Sequence, residues 1–270
     1  MPLRVGSPPY LVARPLDLGL EREKGIELAR AVPSRLVELL RAGELDVALV
    51  SSIELFRRPG YSFLAGPAVS ARGPVASVQL FLRRPLAEVE TVALDPASHA
   101  AQALTRIVLA SRLRRAPRFL EPPAGSDPAE ACPDADAWLR IGDPALRTWL
   151  SPSPPAAFNP SAAWTEDTGL PFVFAVWAVR DDVEHPALPF YFHQSLRYGL
   201  ASLPLVVRQS SRDLGLSDAD THAYFTRNLK YTLGEAEERS MTEFFRRARR
   251  LGLLPEGDEV DFLDLEMVGS

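Results

Sequence analysis

The chain has 270 residues, 46% hydrophobic and 24% charged, with a formal net charge of −5. That composition is ordinary for a globular protein and is long enough for one large or two smaller domains, each with its own core. Basic residues form no long run (the densest groups are 82–85, 111–115 and 244–250), and no apolar run approaches the roughly 18 residues of a membrane span, so neither nucleic acid nor a membrane is expected as a partner.

Residues 3–6 read as a first strand. Ser7-Pro8-Pro9-Tyr10 follows as a loop, because two prolines forbid both a ladder and a helix interior. Residues 10–20 begin a helix with Pro15 near a break or first turn, and Gly19 and Gly25 lead to a second strand at 26–31. The stretch 33–54 organises the rest. Pro33 and Ser34 suit a helix start, Leu36, Val37, Leu39 and Leu40 form an apolar stripe, and Gly43 fits just past the helix end. Residues 45–50 have buried-strand character. Ser51 and Ser52 then stand at the carboxyl end of a strand, where ligands sit in open α/β sheets. They could equally cap the following turn. The order β-α-β-α-β predicts a mostly parallel sheet.

Residues 60–74 form a connector with at most a short strand at 61–64. Val75, Ser77 and Gln79 alternate with Ala76, Val78 and Leu80, which predicts a strand over 75–83, ended by Pro85. Residues 91–95 form a further buried strand, and 96–99 open a helix running to about 115. Polar residues at that junction make a natural anion site. Residues 116–137 carry no assignment. A strand over 137–141 ends at Gly142-Asp143, a short helix covers 144–149, and prolines 152, 154, 155 and 160 make 151–163 a loop. Residues 172–180 are the most apolar strand, and helices follow at 186–203, 217–227 and 235–252. The two groups of strands predict two α/β lobes, 1–86 with 173–270 and 87–172, with a ligand cleft between them.

The chain has no glycine-rich phosphate loop and no G-x-S-x-G elbow. His99, His185, His193 and His222 are dispersed, so no metal site is expected. Cys132 is the single cysteine. It excludes an intramolecular disulfide, suits a cytoplasmic setting, and has no nearby histidine to activate it as a nucleophile. The N-terminus lacks an apolar signal region, so no leader is expected. His193, set among aromatics, reads as a packing or surface residue and not a catalytic one. Asp143 reads first as a helix cap and second as a cleft-facing carboxylate. Glu54 is either a general base or, more commonly for such a residue, an ion-paired carboxylate.

Several stretches, in order along nearly the whole chain, resemble the MqnA family of menaquinone biosynthesis, the chorismate dehydratases of the futalosine route. They are RVGSPPYL and ARPL within 4–16, LRAGELDVALVSSIE at 40–54, SARGPVASVQLF at 70–81, VALDPAS at 92–98, RIGDPAL at 140–146, WTEDTGLPFVFAVWAVR at 164–180 and NLKYTLGEAE at 228–237. GPVASV and TGLPFVFAVW are the specific ones. The related cyclase MqnD typically opens with a Ser-Pro-Cys-Pro-Asn-Asp-type loop, so Ser7-Pro8-Pro9-Tyr10 favours MqnA.

The resemblance implies a periplasmic-binding-protein-like type II fold and a reaction without metal or organic cofactor. Chorismate, a dicarboxylate, loses its ring hydroxyl and a ring proton as water and becomes 3-(1-carboxyvinyloxy)benzoate. Aromatisation drives the step, so the enzyme mainly orients the ring and assists proton transfer. One substrate carboxylate could serve as the base. Ser7, Tyr10, Ser51, Ser52, Ser77, Ser98 and His99 are expected to line the cleft, and Asp143 joins them as a binding candidate. Two departures stand out. Val12 replaces the family's usual asparagine, and Ser98-His99-Ala100-Ala101 replaces Ser-Arg-Thr-Ser. His99 is expected to reach a substrate carboxylate when protonated, without an arginine's bidentate fork. A homodimer is compatible with the sequence. The alternative function is a non-catalytic carboxylate-binding protein on the same scaffold.

Overall fold

A computed structural model describes residues 2–254 and 267–268. The parts of the first predicted lobe at 1, 255–266 and 269–270 lie outside the described residues. The strands are β1 (Leu3–Ser7), β2 (Ile26–Arg30), β3 (Val47–Ser51), β4 (Tyr61–Ala71), β5 (Val78–Leu82), β6 (Thr91–Ala93), β7 (Arg118–Leu120), β8 (Ala137–Ile141), β9 (Ala157–Phe158), β10 (Phe172–Arg180), β11 (Leu229–Thr232) and β12 (Met267–Val268). They form two sheets. The first has the order β11-β4-β10-β3-β1-β2, with β12 beside β4, and the second has the order β7-β6-β8-β5-β9.

The two sheets share a rule of construction. In the first, β1 pairs in parallel with β2 and β3, and β10 enters antiparallel between β3 and β4. In the second, β6 pairs in parallel with β7 and β8, and β5 runs antiparallel to β8 and β9. Thus β5, the first strand after the chain leaves the first sheet, and β10, the first after it returns, take matching places. Parallel neighbours require crossover helices, which cover the faces and bury strands such as β3 from both sides. This is the α/β, two-lobed architecture that the sequence predicts.

The crossing points differ from the expectation. The 75–83 alternation does make a strand, β5, but it belongs to the second sheet, so the chain crosses within 72–77 and not after residue 86. A period of two marks a strand without saying which sheet receives it. β4 is longer than the expected 61–64 because Gly66, at φ +91°, carries it past an irregularity in its pairing with β10. His193 is exposed and lays its ring where a side chain on Gly66 would stand, in keeping with a packing or surface role. The proline-rich stretch 151–163 holds β9 and the start of helix Pro160–Thr168. Asn159 caps that helix by accepting from the Ala162 amide at 2.9 Å, and Pro160 fills its first turn. β7, β11 and helix Leu203–Leu214 were not foreseen from the pattern. Among the described residues no helix is long and apolar enough to cross a membrane.

One packing contact fixes the loop after β1. Helix Leu188–Ala201 lies against the short helix Arg14–Asp17. Ser195 Oγ donates to the Leu16 carbonyl at 2.7 Å and accepts from the Gly19 and Leu20 amides, each at 3.1 Å, so it satisfies groups the short helix leaves open. One turn on, Gly199 has no room for a side chain, because a Cβ would fall 2.1 Å from the Pro15 carbonyl oxygen. Alanine is favoured over glycine in a helix interior by about 1 kcal/mol. Backbone overlap outweighs this gain, so Gly199→Ala is expected to lower stability by about 1–3 kcal/mol. Urea unfolding checks it, and an unchanged or raised midpoint would show that the two helices are not in this contact.

Candidate functional site

The loops that leave the carboxyl ends of β1, β2, β3, β6 and β8 converge between the two sheets. They enclose a cavity of about 580 Å³, counting its mouth. Tyr10 and Val12 come from the loop after β1, Pro33 from that after β2, and Ser51 ends β3. Ser77 lies in the first crossing, Ser98 follows β6, Ile141 ends β8 and Gly142 opens the helix after it. Leu49, Val69, Val75, Phe174 and Leu229 supply apolar wall. This is the position at which α/β sheets bind ligands.

The polar groups are held from behind. Ser98 caps helix His99–Arg112 by accepting from the Ala101 amide at 3.3 Å, and its hydroxyl lies 3.3 Å from that of Ser51 in the other lobe. The Ser77 carbonyl accepts from the Gly142 amide at 2.8 Å, and its hydroxyl accepts from Tyr224 at 2.8 Å. The Tyr10 ring covers Gly142, which has φ +66°, and a Cβ there would come within 2.7 Å of the ring. Glycine is required twice at this point, for backbone conformation and for ring approach. Burial raises the Tyr10 phenol above its ordinary pKa, and the Asp95 and Asp143 carboxylates add to the effect, so it remains protonated and able to donate.

No charged side chain lines the cavity among the described residues, so any positive field at its wall comes from helix ends. Helices Pro33–Arg41, His99–Arg112 and Gly142–Trp149 all begin at its wall, at Pro33, Ser98 and Gly142. Each turns the positive end of its dipole toward the wall, although the Ser34, Ala101 and Gly142 amides already donate to the Ala97 carbonyl, the Ser98 hydroxyl and the Ser77 carbonyl.

Of the eight candidate residues, Tyr10, Ser51, Ser77 and Ser98 line this cavity, and the other four do not. Ser7 turns into the first lobe and donates at 2.6 Å to the buried Asp17, which Arg30 and Arg14 also reach from nearer the surface. Ser52 donates to the Val173 carbonyl at 2.7 Å. His99 places Nδ1 2.5 Å from Glu54 Oε1, and Glu54 also pairs with Arg41 at 2.6 Å and Arg57 at 3.3 Å. Asp143 neither caps its helix nor faces this cavity. It accepts from the Leu11 amide at 2.9 Å and borders a separate groove with Arg14 and Gln209. The physical reason for these different placements is direction. Neighbouring residues at a strand end point to opposite sides, so Ser51 and Ser52 cannot both face one cleft. His99 likewise turns away from Ser98 into the seam between the lobes. Of the departures from the family pattern, Val12 alone faces the cavity, since Ala100 and Ala101 are fully buried. Among the described residues no three His, Cys, Asp or Glu side chains group as a metal would need.

Asp95 was not singled out from the sequence. It is 8% exposed, and its two oxygens accept from the Ala97 and Ile141 amides, each at 2.9 Å, joining the ends of β6 and β8. Burial pushes its carboxyl up to about 6, against the pull of those two amides. The unfolded chain loses this proton near pH 3.9. Between about pH 4 and about pH 6 the folded state holds a proton that the unfolded state has released, so this group's contribution to stability falls as pH rises through the window. Asp95→Asn cannot titrate and is expected to remove that fall, while losing one of the two amide bonds. Denaturant unfolding across the window checks it, and parallel pH profiles for the two proteins would contradict it.

Residues 3–250 match the family model described as menaquinone biosynthesis. The chain is 31% identical to the chorismate dehydratase of Thermus thermophilus, over 93% of this chain and 96% of that protein. It is 26% identical to the chorismate dehydratase of Campylobacter jejuni, over 90% and 92%. The fold superposes on the periplasmic aliphatic sulphonate binding protein SsuA of Escherichia coli with a TM-score of 0.66 at 15% identity, covering 97% of this chain and 98% of that one. With the family model matched over residues 3–250 and a relative 31% identical over 93% of this chain, the chain belongs to the menaquinone biosynthesis family.

Proposed function

We propose that this chain is a chorismate dehydratase, converting chorismate to 3-(1-carboxyvinyloxy)benzoate and water in menaquinone biosynthesis by the futalosine route. The observation that carries the proposal is the uncharged cavity onto which three helix amino-termini converge. A dicarboxylate with a flat ring suits such a site. The ring packs between apolar walls, and its anionic oxygens meet hydroxyls and helix-end amides. The names of the relatives supply the substrate.

The chemistry asks little of the protein. No carboxylate or imidazole lines the cavity among the described residues, so a substrate carboxylate takes the ring proton in this reading. The electron pair of that C–H bond enters the ring as the C–O bond breaks, and hydroxide and proton leave as water. The protein holds the reacting conformation and shields it, which is the larger part of what an aromatising elimination needs. The reading uses no metal or organic cofactor and assigns the reaction to the cytoplasm.

One observation favours a second reading. Val12 gives the cavity an apolar wall where the resembling family usually carries an amide. A protein that binds a carboxylate ligand without turning it over would tolerate that change.

Incubation with chorismate, followed by chromatography, separates the two. We expect the substituted benzoate to accumulate, and Ser77→Ala to lower kcat/KM by about threefold to tenfold, the effect of one neutral hydrogen bond. Binding of chorismate without any benzoate would establish the second reading.

A further inference from the structure

Tyr224 is not part of the cavity wall, yet it touches the wall's chemistry at one point. It sits on helix Asp218–Thr226, which Ser217 caps by accepting from the Asp220 amide at 3.0 Å. Its ring is packed in the main core. Its hydroxyl donates to Ser77 Oγ at 2.8 Å, with Tyr224 7% and Ser77 4% exposed. Burial raises the Tyr224 phenol above its ordinary value, against the pull of its bond to Ser77, so it is a protonated donor throughout the neutral range.

A serine hydroxyl has one proton to give and two lone pairs to accept with. In Ser77 the phenol proton occupies one lone pair. The backbone is fixed as well, because the Ser77 carbonyl accepts from the Gly142 amide at 2.8 Å. The Ser77 proton is then directed away from Tyr224, and Ser77 lines the cavity. Without the phenol the same hydroxyl would be free to turn, and a ligand would have to order it on binding.

We propose that Tyr224 is a positioning residue, whose hydroxyl commits the Ser77 proton to an anionic oxygen of the bound ligand. The proposal rests on the chorismate dehydratase reading for the identity of that ligand. Tyr224 acts through Ser77 and touches neither the substrate nor the reacting atoms. This defines a dependence that a merely structural tyrosine would not show. The effect of removing its hydroxyl must vanish once Ser77 no longer has one.

The test is a double-mutant cycle on the full chain with Tyr224→Phe, Ser77→Ala and both together. The readouts are kcat and KM for chorismate, the dissociation constant of chorismate by calorimetry, and the thermal midpoint. Tyr224→Phe keeps the ring and is expected to lower kcat/KM by about threefold to tenfold. In the Ser77→Ala background the same substitution should change kcat/KM by less than about twofold, which is the coupling expected of groups in direct contact. Equal losses in both backgrounds would overturn the proposal, as would a folded Tyr224→Phe protein with wild-type kcat and KM. If wild type binds chorismate but forms no benzoate, the dehydratase reading fails and the cycle is read in the dissociation constant. Coupling there supports the positioning role, and its absence overturns it. If wild type neither binds nor converts chorismate, both ideas fall.

Discussion

A buried carboxylate holds the two lobes in register. Glu54 follows β3 in a tight turn, with its side chain 4% exposed. Arg41 and Arg57 reach it from the first lobe and His99 from the second. Burial alone would raise this carboxyl. The hydrogen bond and charge of His99, with Arg57 and Arg41, instead bring it below its ordinary value. A carboxylate removed from water costs several kcal/mol unless it is paired, so Glu54 commits the end of β3 to lie beside the start of helix His99–Arg112. Lesser bonds run along the same seam. The hydroxyls of Ser51 and Ser98 meet, the Leu11 amide reaches Asp143, and the Ser34 amide reaches the Ala97 carbonyl. The cavity is the space these bonds enclose.

This arrangement separates two tasks that one sequence motif carries side by side. Charge works at the seam, where Glu54 and its cations fix geometry. Neutral donors work in the cavity, where Tyr10, Ser51, Ser77 and Ser98 stand among apolar walls. The replacement of an arginine by His99 therefore bears on the seam, because the partner at that position is Glu54 and not a residue of the cavity. Val12 faces the cavity itself. Where no cation lines the cavity among the described residues, the positive field comes from helix ends, weaker than that of an ion but fixed in place by the backbone.

How much of this was legible in the sequence follows from what each signal encodes. Buried strands such as 172–180 and 137–141 announce themselves as apolar runs, and β10 and β8 have those bounds. The alternation at 75–83 encodes a strand but not its sheet, which is why the first crossing was misplaced. The Asn159-Pro160 helix start is hidden in the sequence because a dense set of prolines signals a loop, although a single proline is well suited to a first turn. Strand-end hydroxyls could be named, but their facing depends on register and twist, so Ser51 and Ser98 were placed with Ser52 and His99, which turn away. Tyr224 left no local trace, because its role arises from a helix 147 positions beyond Ser77 folding back against the first crossing.

The most direct test of this account is a crystal structure of the protein with chorismate or its benzoate product bound. The account predicts the ring inside the cavity between Val12 and Phe174, with a carboxylate within hydrogen-bonding distance of the Ser51, Ser77 or Ser98 hydroxyls, and with His99 still paired to Glu54. A ligand seated in another groove, or one whose carboxylate has displaced Glu54 from His99, would contradict it.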